Sequence, residues 1–196
     1  MTRKEKASLT KSKIYSCALQ LIKEVGYENI LIDDITALAG MAKGSFYFHF
    51  KSKEDLLFYT FQCADEIYAN ALKKAIKKDD FYDLLNTFLK LSYVEIEKLG
   101  KEVIRAIYMN LLSEEGRNNF LNKDRSLYKS LSYIVEYGKE QGVLNNKYKT
   151  GYYVEKMVIS LVGIDCYWSL IDSQKSLPDM VKKSVTILMK GFSLNT

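Results

Sequence analysis

Side chains that can contact phosphate groups and base edges are concentrated in one short segment, GMAKGSFYFHFKSKEDLL, at residues 40–57. Lysine, serine, tyrosine and histidine all carry hydrogen-bond donors, and the lysine ammonium is also a cation. Gly44 interrupts a helical run at a cost of about 1 kcal/mol relative to alanine. A missing side chain, however, lets the backbone come close to a base pair or a phosphate. The segment predicts a DNA-contacting surface that consists of Lys43, Gly44, Ser45, Tyr47, Phe48, His49 and Lys53.

Two short helices joined by a tight turn are predicted to position this surface. Helical patterning favours helices at residues 33–39 and 43–49, and Gly40 is expected to end the first one. This outline is typical of a helix-turn-helix, whose second helix lies in a DNA major groove. An aromatic helical core with a fringe of lysines is the plainer alternative. The side chains expected to pack between the two helices are Ile35, Leu38, Ala39, Phe46 and Phe50.

The rest of the chain is predicted to be helical, because it contains one proline and ten glycines and shows no alternating strand pattern. A basic arm is expected ahead of the first helix, where Lys11 and Lys13 could add phosphate contacts. The long helix that begins near Ser52 should join a domain at residues 1–52 to a second at residues 53–196. The remaining helices are expected at residues 10–25, 52–77, 80–99, 101–112, 121–141, 149–171 and 177–192.

Composition and residue spacing argue against several other classes of protein. Cys17, Cys63 and Cys166 lack metal-ligand spacing, which favours reduced thiols in a cytoplasmic protein. His49 is the only histidine, and no glycine-rich phosphate loop is present, so neither a cofactor, a metal site nor an enzyme is predicted. The longest apolar stretch, residues 157–171, is too short to cross a bilayer and contains an aspartate, so no membrane association is expected.

Residues 10–57 contain a set of spaced features, which are Ala18, Gly26-Tyr27, Asp34-Ile35, Ala39-Gly40, Lys43-Gly44, Tyr47, Phe50, Lys53 and Leu56. In these features the segment resembles the DNA-binding domain of the TetR-type transcriptional regulators. The family often has serine or threonine at the position of Leu31, and this chain departs from that pattern. The resemblance implies a two-fold dimer of all-α subunits that binds a pseudo-palindromic operator. It also implies a helical C-terminal domain that binds a small effector and dimerises.

The C-terminal half offers candidate residues for those two roles. An aspartate on the apolar stripe of the helix at 149–171 is costly unless it is paired, faces a ligand or is partly wet. Asp165 is therefore an effector contact, the partner of a cation such as Arg105, or a residue at an edge of the stripe that reaches solvent. The predicted effector residues are Tyr108, Tyr133, Tyr137, Asp165 and Trp168. The predicted dimer interface consists of Ile159, Gly163, Cys166, Leu170, Val181, Val185, Leu188 and Phe192.

The sequence therefore predicts a ligand-responsive transcriptional regulator, most simply a repressor that a small apolar or amphipathic effector releases from operator DNA. A helical small-molecule-binding protein with little specific DNA binding is the alternative. A thiol-based sensor that uses Cys63 is a further one. Neither alternative explains the spacing of Lys43, Gly44 and Tyr47.

Overall fold

A computed structural model describes residues 2–172 and 174–193 of the chain. In these two stretches the predicted all-α fold is confirmed, and the one β-type contact is an isolated bridge between Leu144 and Ser193. Among the helices of the described residues, none is both long and apolar enough to span a bilayer. The helices are α1 (Arg3–Val25), a 3-10 turn (Tyr27–Asn29), α2 (Ile32–Ala39), α3 (Lys43–His49), α4 (Glu54–Ala75), α5 (Phe81–Glu97), α6 (Lys101–Asn110), α7 (Glu114–Phe120), α8 (Ser126–Glu140), α9 (Thr150–Leu170) and α10 (Leu177–Lys190).

The chain divides into two compact units. The N-terminal unit consists of Met1–Phe61 and Leu99–Phe120, and the C-terminal unit consists of Gln62–Lys98 and Leu121–Thr196. The first division falls inside α4 because the start of that helix packs within the N-terminal unit, where the Tyr15 hydroxyl donates to Thr60 Oγ1 at 2.9 Å. The functional boundary between residues 52 and 53 remains a prediction.

The start of α1 differs from the sequence-based expectation. The helix begins at Arg3 rather than near residue 10, because Thr2 and Glu5 form a capping box. In it the Thr2 N–H donates to Glu5 Oε2 at 2.8 Å and the Glu5 N–H donates to Thr2 Oγ1 at 3.2 Å. The lysines of the expected basic arm therefore lie on a helix.

Helix α7 was not predicted, and α8 begins at Ser126 instead of near residue 121. At the start of α7 the Gly116 N–H donates to Ser113 Oγ at 3.0 Å, which caps the first turn. Gly116 also allows a close approach, since a Cβ atom there would lie 2.2 Å from the carbonyl oxygen of Asn110. The local sequence contains the cap, but it gives no sign of this tertiary contact.

The C-terminal unit is built around α5, α8, α9 and α10. The predicted apolar stripe of α9 is confirmed, since Val154, Met157, Val158, Leu161, Asp165 and Trp168 are all buried. Arg125, which is 9% exposed, donates from Nε to Asp65 Oδ2 at 3.1 Å. Asp65 Oδ1 accepts from the Ser126 N–H at 3.1 Å, so one carboxylate holds both the arginine and the first turn of α8.

Candidate nucleic-acid interface

Helices α2 and α3 are joined by a turn of three residues, Gly40 to Ala42, whose geometry depends on Gly40. This residue has φ 65° and ψ 40°, a left-handed conformation that glycine adopts without the steric cost of a side chain. The Gly40 N–H donates to the Ala37 carbonyl at 3.0 Å, and the Met41 N–H donates to the Thr36 carbonyl at 2.9 Å. These bonds end α2 and direct the chain into α3.

One side of α3 belongs to the core of the N-terminal unit. Phe46 is 0% exposed and Phe50, at the end of the helix, is 2% exposed. Ile35 and Ala39 of α2 are also 0% exposed, as predicted, whereas Leu38 is 44% exposed and does not pack there. The inward residues fix the rotation of α3 and determine which side chains it presents outward.

The outward side of α3 combines apolar rings with polar and cationic groups. Tyr47 is 51% exposed and Phe48 is 75% exposed. Gly44 is exposed, and a Cβ atom added to it would meet no heavy atom within 4 Å. Packing inside this chain therefore does not require a glycine at position 44. Ser45 is partly buried on the same helix.

Lys43 forms an ion pair that was not predicted. Its Nζ atom lies 2.8 Å from Asp33 Oδ1 and 3.1 Å from Asp33 Oδ2, and both side chains are more than half exposed. The hydrogen bond with this carboxylate, and then its charge, raise the pKa of Lys43 above the usual value. The sequence did contain a signal for this pair, because Asp33 has the opposite charge and lies ten residues before Lys43, across a tight turn.

Lys53 is directed into the N-terminal unit. Its Nζ atom donates to the Tyr27 carbonyl at 3.0 Å and to the Ile30 carbonyl at 3.4 Å, and it lies 4.5 Å from the centre of the Tyr27 ring. This placement argues against the predicted phosphate contact, because the ammonium group already ties the 3-10 turn to the start of α4. Burial, then the charges of Glu54 and Glu28, raise the pKa of Tyr27.

The other predicted phosphate contacts lie on α1 and at the end of α3. Lys11 Nζ lies 4.1 Å from the centre of the Tyr59 ring, whereas Lys13 is exposed. His49 is partly buried, and burial, then the charge of Lys11, lower the pKa of its imidazole. A neutral His49 at neutral pH can still donate one hydrogen bond to a phosphate oxygen.

Leu31 lies at the N-cap of α2 and has no side-chain acceptor, as the sequence indicated. The Leu31 N–H instead donates to Asp34 Oδ2 at 3.3 Å, so the third residue of the helix supplies half of a capping box. The aspartate pair at positions 33 and 34 thus has two separate tasks. Asp34 caps α2, and Asp33 binds Lys43.

The predicted effector residues do not form one cluster. Tyr108 belongs to the N-terminal unit, whereas the other four belong to the C-terminal unit. Tyr133 is 47% exposed, and the Tyr137 hydroxyl donates to the Asp79 carbonyl at 2.7 Å. Asp165 and Trp168 are buried, and the Trp168 indole N–H donates to the Lys175 carbonyl at 2.8 Å. Arg105, the suggested partner of Asp165, pairs instead with Glu102 at 2.7 Å.

Asp165 lies near a second buried polar side chain, Tyr68, and the sequence did not predict that the two would be close. The Tyr68 side chain is enclosed in the C-terminal unit and is hydrogen-bonded to Tyr93. Burial, then the nearby charge of Asp165, raise the pKa of Tyr68, and the charge of Arg125 acts in the opposite direction.

The C-terminal unit also has an open groove of about 240 Å³ between α5 and α10. The groove is lined by Asn86, Lys182, Lys183, Thr186 and Ile187, and none of the predicted effector residues lines it.

The predicted dimer residues separate into three groups by exposure. Ile159 and Leu170 are 57% and 65% exposed, and Gly163 is also exposed. Cys166, Leu188 and Phe192 are partly buried. Val181 and Val185 are each 0% exposed in the core of their own unit, so their assignment to the interface is corrected: they have no surface to present to a second chain. Ile187, which was not predicted, is 71% exposed on α10.

The described residues contain no group of three histidine, cysteine, aspartate or glutamate side chains that could hold a metal ion. The three cysteines are partly buried and form no disulfide bond.

Comparison with known proteins shows which regulators this chain resembles. The sequence profile described as "Bacterial regulatory proteins, tetR family" matches residues 14–60. The negative regulator IcaR of the biofilm operon icaADBC in Staphylococcus aureus (strain Newman) is 28% identical over 123 residues, which are 62% of this chain. That match spans 65% of the length of IcaR. An HTH-type transcriptional regulator of S. aureus (strain MRSA252) is 28% identical over 147 residues, which cover 74% of this chain and 75% of that protein.

Solved structures share the fold at lower sequence identity. The fatty acid degradation regulator FadR from Bacillus halodurans superposes with a TM-score of 0.79 at 20% identity, covering 93% of this chain and 95% of that one. FadR from Bacillus subtilis, determined in complex with stearoyl-CoA, gives a TM-score of 0.77 at 18% identity, over 92% and 98% of the two chains. The matched N-terminal segment and the shared helical fold agree with each other: residues 14–60 match the TetR family of bacterial regulatory proteins, and the helical fold is that of the solved regulators.

Proposed function

We propose that this chain is a non-enzymatic, cytoplasmic transcriptional repressor that binds operator DNA as a homodimer and is released by a small apolar or amphipathic effector. The observation that carries the proposal is the outward side of α3, where exposed Tyr47 and Phe48 lie on the same helix as Lys43 while Phe46 anchors the helix in the core. Exposed rings are costly in water, and cations beside them fit a polyanion.

The family match supports the direction of regulation. IcaR is named as a negative regulator, and repression is the simplest role for a chain that resembles it over 123 residues. Base contacts would come from α3 and phosphate contacts from groups around it, as in other helix-turn-helix proteins. The alternatives without DNA binding leave the exposed rings of α3 unexplained.

Exposed aliphatic residues on α9 and α10 support the homodimer. Ile159, Leu170 and Ile187 are each more than half exposed, and a close-packed pair of helices from each subunit would bury them in a four-helix contact. Gly163 on α9 is exposed and would permit close helix approach. Two copies would place two α3 helices on successive major grooves.

Selection of bound sequences from random duplex DNA tests the proposal. We expect an inverted repeat to be enriched and its affinity to fall steeply with salt, with a slope of about −0.9 for each phosphate contact. Weak binding without any enriched sequence would contradict the proposed function. The enriched duplex then serves as the ligand in all binding measurements below.

The homodimer has a separate test with a matched control. Ile187→Glu should abolish the dimer in sedimentation and reduce operator affinity, because a charge at the centre of an apolar contact is not compensated. Ile76→Glu makes the same chemical change at a residue of the C-terminal unit that is 46% exposed and lies outside α9 and α10. We expect this control to remain dimeric, and an equal loss in both variants would contradict the assignment.

A further inference from the structure

We propose that Asp33 is a positioning residue that reserves the Lys43 ammonium for a guanine base edge and withholds it from phosphate. The inference rests on the proposed function and deepens it, because it names the residue that makes one cation of the interface selective. Neither the sequence pattern nor the family match assigns this role to Asp33.

The geometry restrains the ammonium group at one place. Lys43 is the first residue of α3 and Asp33 lies in the first turn of α2. The Nζ atom lies 2.8 Å from one carboxylate oxygen and 3.1 Å from the other. Lysine otherwise has a flexible stem whose charge can follow the nearest phosphate. Contact with both oxygens limits that freedom and leaves at least one N–H donor directed elsewhere.

The Lys43–Asp33 ion pair contributes little to the stability of the fold. The Lys43 and Asp33 side chains are 54% and 66% exposed, and exposed ion pairs contribute little to folding. Asp34 already supplies the cap of α2, so Asp33 is not needed for that task. A carboxylate on a surface that approaches DNA also repels phosphate groups, which makes it unfavourable unless it improves selectivity.

The chemistry of the pair matches a G·C base pair in the major groove. Guanine presents two acceptors, O6 and N7, that an ammonium group can bind, and the paired cytosine presents the N4 amine as a donor. The N-terminal residues of a recognition helix are those that reach base edges. Lys43 has this position, so the N–H donor that Asp33 leaves unused can reach the guanine acceptors.

The test compares wild type with Asp33→Asn, which keeps the size of the side chain and removes its charge. Base preference is measured by selection from random duplex DNA, and affinity for a duplex of unrelated sequence is measured across salt concentrations. In the variant we expect the preference for G·C at one position of each half-site to fall about tenfold. Because the ammonium group becomes available to phosphate, affinity for unrelated DNA should rise and its salt slope should steepen by about one.

Glu24→Gln is the matched control for net charge. Glu24 is an exposed residue of α1 in the same unit, it accepts from Gln20 Nε2 and it makes no contact with Lys43. The control should keep the wild-type base preference and salt slope. If Glu24→Gln raises affinity for unrelated DNA as much as Asp33→Asn does, general electrostatics explains the effect and the inference is overturned.

The Lys43→Ala background separates positioning from direct contact. If Asp33 acts through Lys43, Asp33→Asn should change neither base preference nor salt slope in the Lys43→Ala protein. Equal effects of Asp33→Asn with and without Lys43 would overturn the inference. If wild type enriches an operator and Asp33→Asn keeps the same base preference, the inference is overturned but the proposed function is not. Wild type that enriches no sequence would overturn the proposed function together with it.

Discussion

The two ion pairs Lys43–Asp33 and Arg125–Asp65 use the same charges in opposite surroundings. The first lies on the surface of the N-terminal unit, and the second lies inside the C-terminal unit with Arg125 9% exposed and Asp65 26% exposed. The charges of an exposed pair contribute little to the fold, so they remain available for contact with DNA. A buried pair cannot, because the remaining charge is left without compensation. The degree of burial therefore indicates the role of each pair: the exposed pair is suited to recognition of DNA, and the buried pair stabilises the fold.

The largest expected effect is on the buried pair. Asp65→Ala removes the carboxylate that binds Arg125 and the Ser126 N–H, and we expect it to lower the free energy of unfolding of the C-terminal unit by about 3 kcal/mol. Urea denaturation measures this change. Asp124→Ala is the matched control, because Asp124 forms an exposed pair with Lys129 at 3.8 Å and should cost less than about 1 kcal/mol. Similar losses in the two variants would contradict the comparison.

The next effect is on the exposed pair, and it should appear in binding rather than in stability. Lys43→Ala should weaken operator binding about ten- to hundredfold, since a base contact is lost, and leave the unfolding transition almost unchanged. Fluorescence anisotropy with the enriched operator measures the first quantity, and urea denaturation the second. Operator affinity equal to that of wild type would remove Lys43 from the base-reading residues.

Lys53 sharpens the comparison, because this lysine of the N-terminal unit is expected to behave like the internal Arg125. Lys53→Met removes the bonds to the Tyr27 and Ile30 carbonyls, and we expect it to cost about 1–2 kcal/mol of unfolding free energy. The salt slope of operator binding should stay unchanged. A slope flatter by about one would show that Lys53 contacts phosphate after all, as the sequence predicted.

Gly44 extends the comparison from charges to the backbone. Gly44→Ala should stabilise the N-terminal unit by about 0.5–1 kcal/mol, because alanine favours a helix and no atom lies within 4 Å of the new Cβ. The same change should weaken operator binding if the backbone of α3 approaches DNA. Gly151→Ala, an exposed glycine on α9 with the same open space, should leave binding unaffected. Unchanged operator affinity in Gly44→Ala would contradict a close approach at this position.

The smallest expected effect concerns pH and His49. Burial, then Lys11, lower the pKa of this histidine in the folded protein, so the unfolded chain takes up a proton first as pH falls. Stability contributed by neutral His49 is therefore present above its ordinary pKa, about 6.5, and decreases as pH falls through that value. Denaturation at about pH 7.5 and 5.5 should show a smaller loss in His49→Gln than in wild type. Equal losses would indicate that His49 does not titrate differently in the two states.

Sequence reasoning succeeded where short-range patterns determine the structure. The turn at Gly40, the inward side chains of α3 and the buried stripe of α9 follow from residue spacing alone. The start of α1 could also have been found, because Thr2 and Glu5 have the spacing of a capping box. That signal was outweighed by the basic residues that follow, which suggested an arm.

The features that the sequence did not predict depend on contacts between distant parts of the chain. The carbonyl acceptors of Lys53 lie more than twenty residues earlier, and the arginine that binds Asp65 lies sixty residues later. The rotation of α10, which buries Val181 and Val185 and exposes Ile187, depends on its packing against α5 and α9. Helical periodicity identifies an apolar side of α10 but not the partner it meets. Residue types alone therefore do not distinguish an interface from a core.

Trp168 gives the C-terminal unit an optical label of its own. It is the only tryptophan of the chain, it is 5% exposed, and its indole donates to the Lys175 carbonyl. Emission from a buried indole shifts to longer wavelength when the ring enters water, so intrinsic fluorescence follows the unfolding of this unit without any added dye. The N-terminal unit contributes only tyrosine emission, and excitation at the red edge of the absorption band removes it. The unfolding of the C-terminal unit can thus be recorded by itself in the unmodified protein.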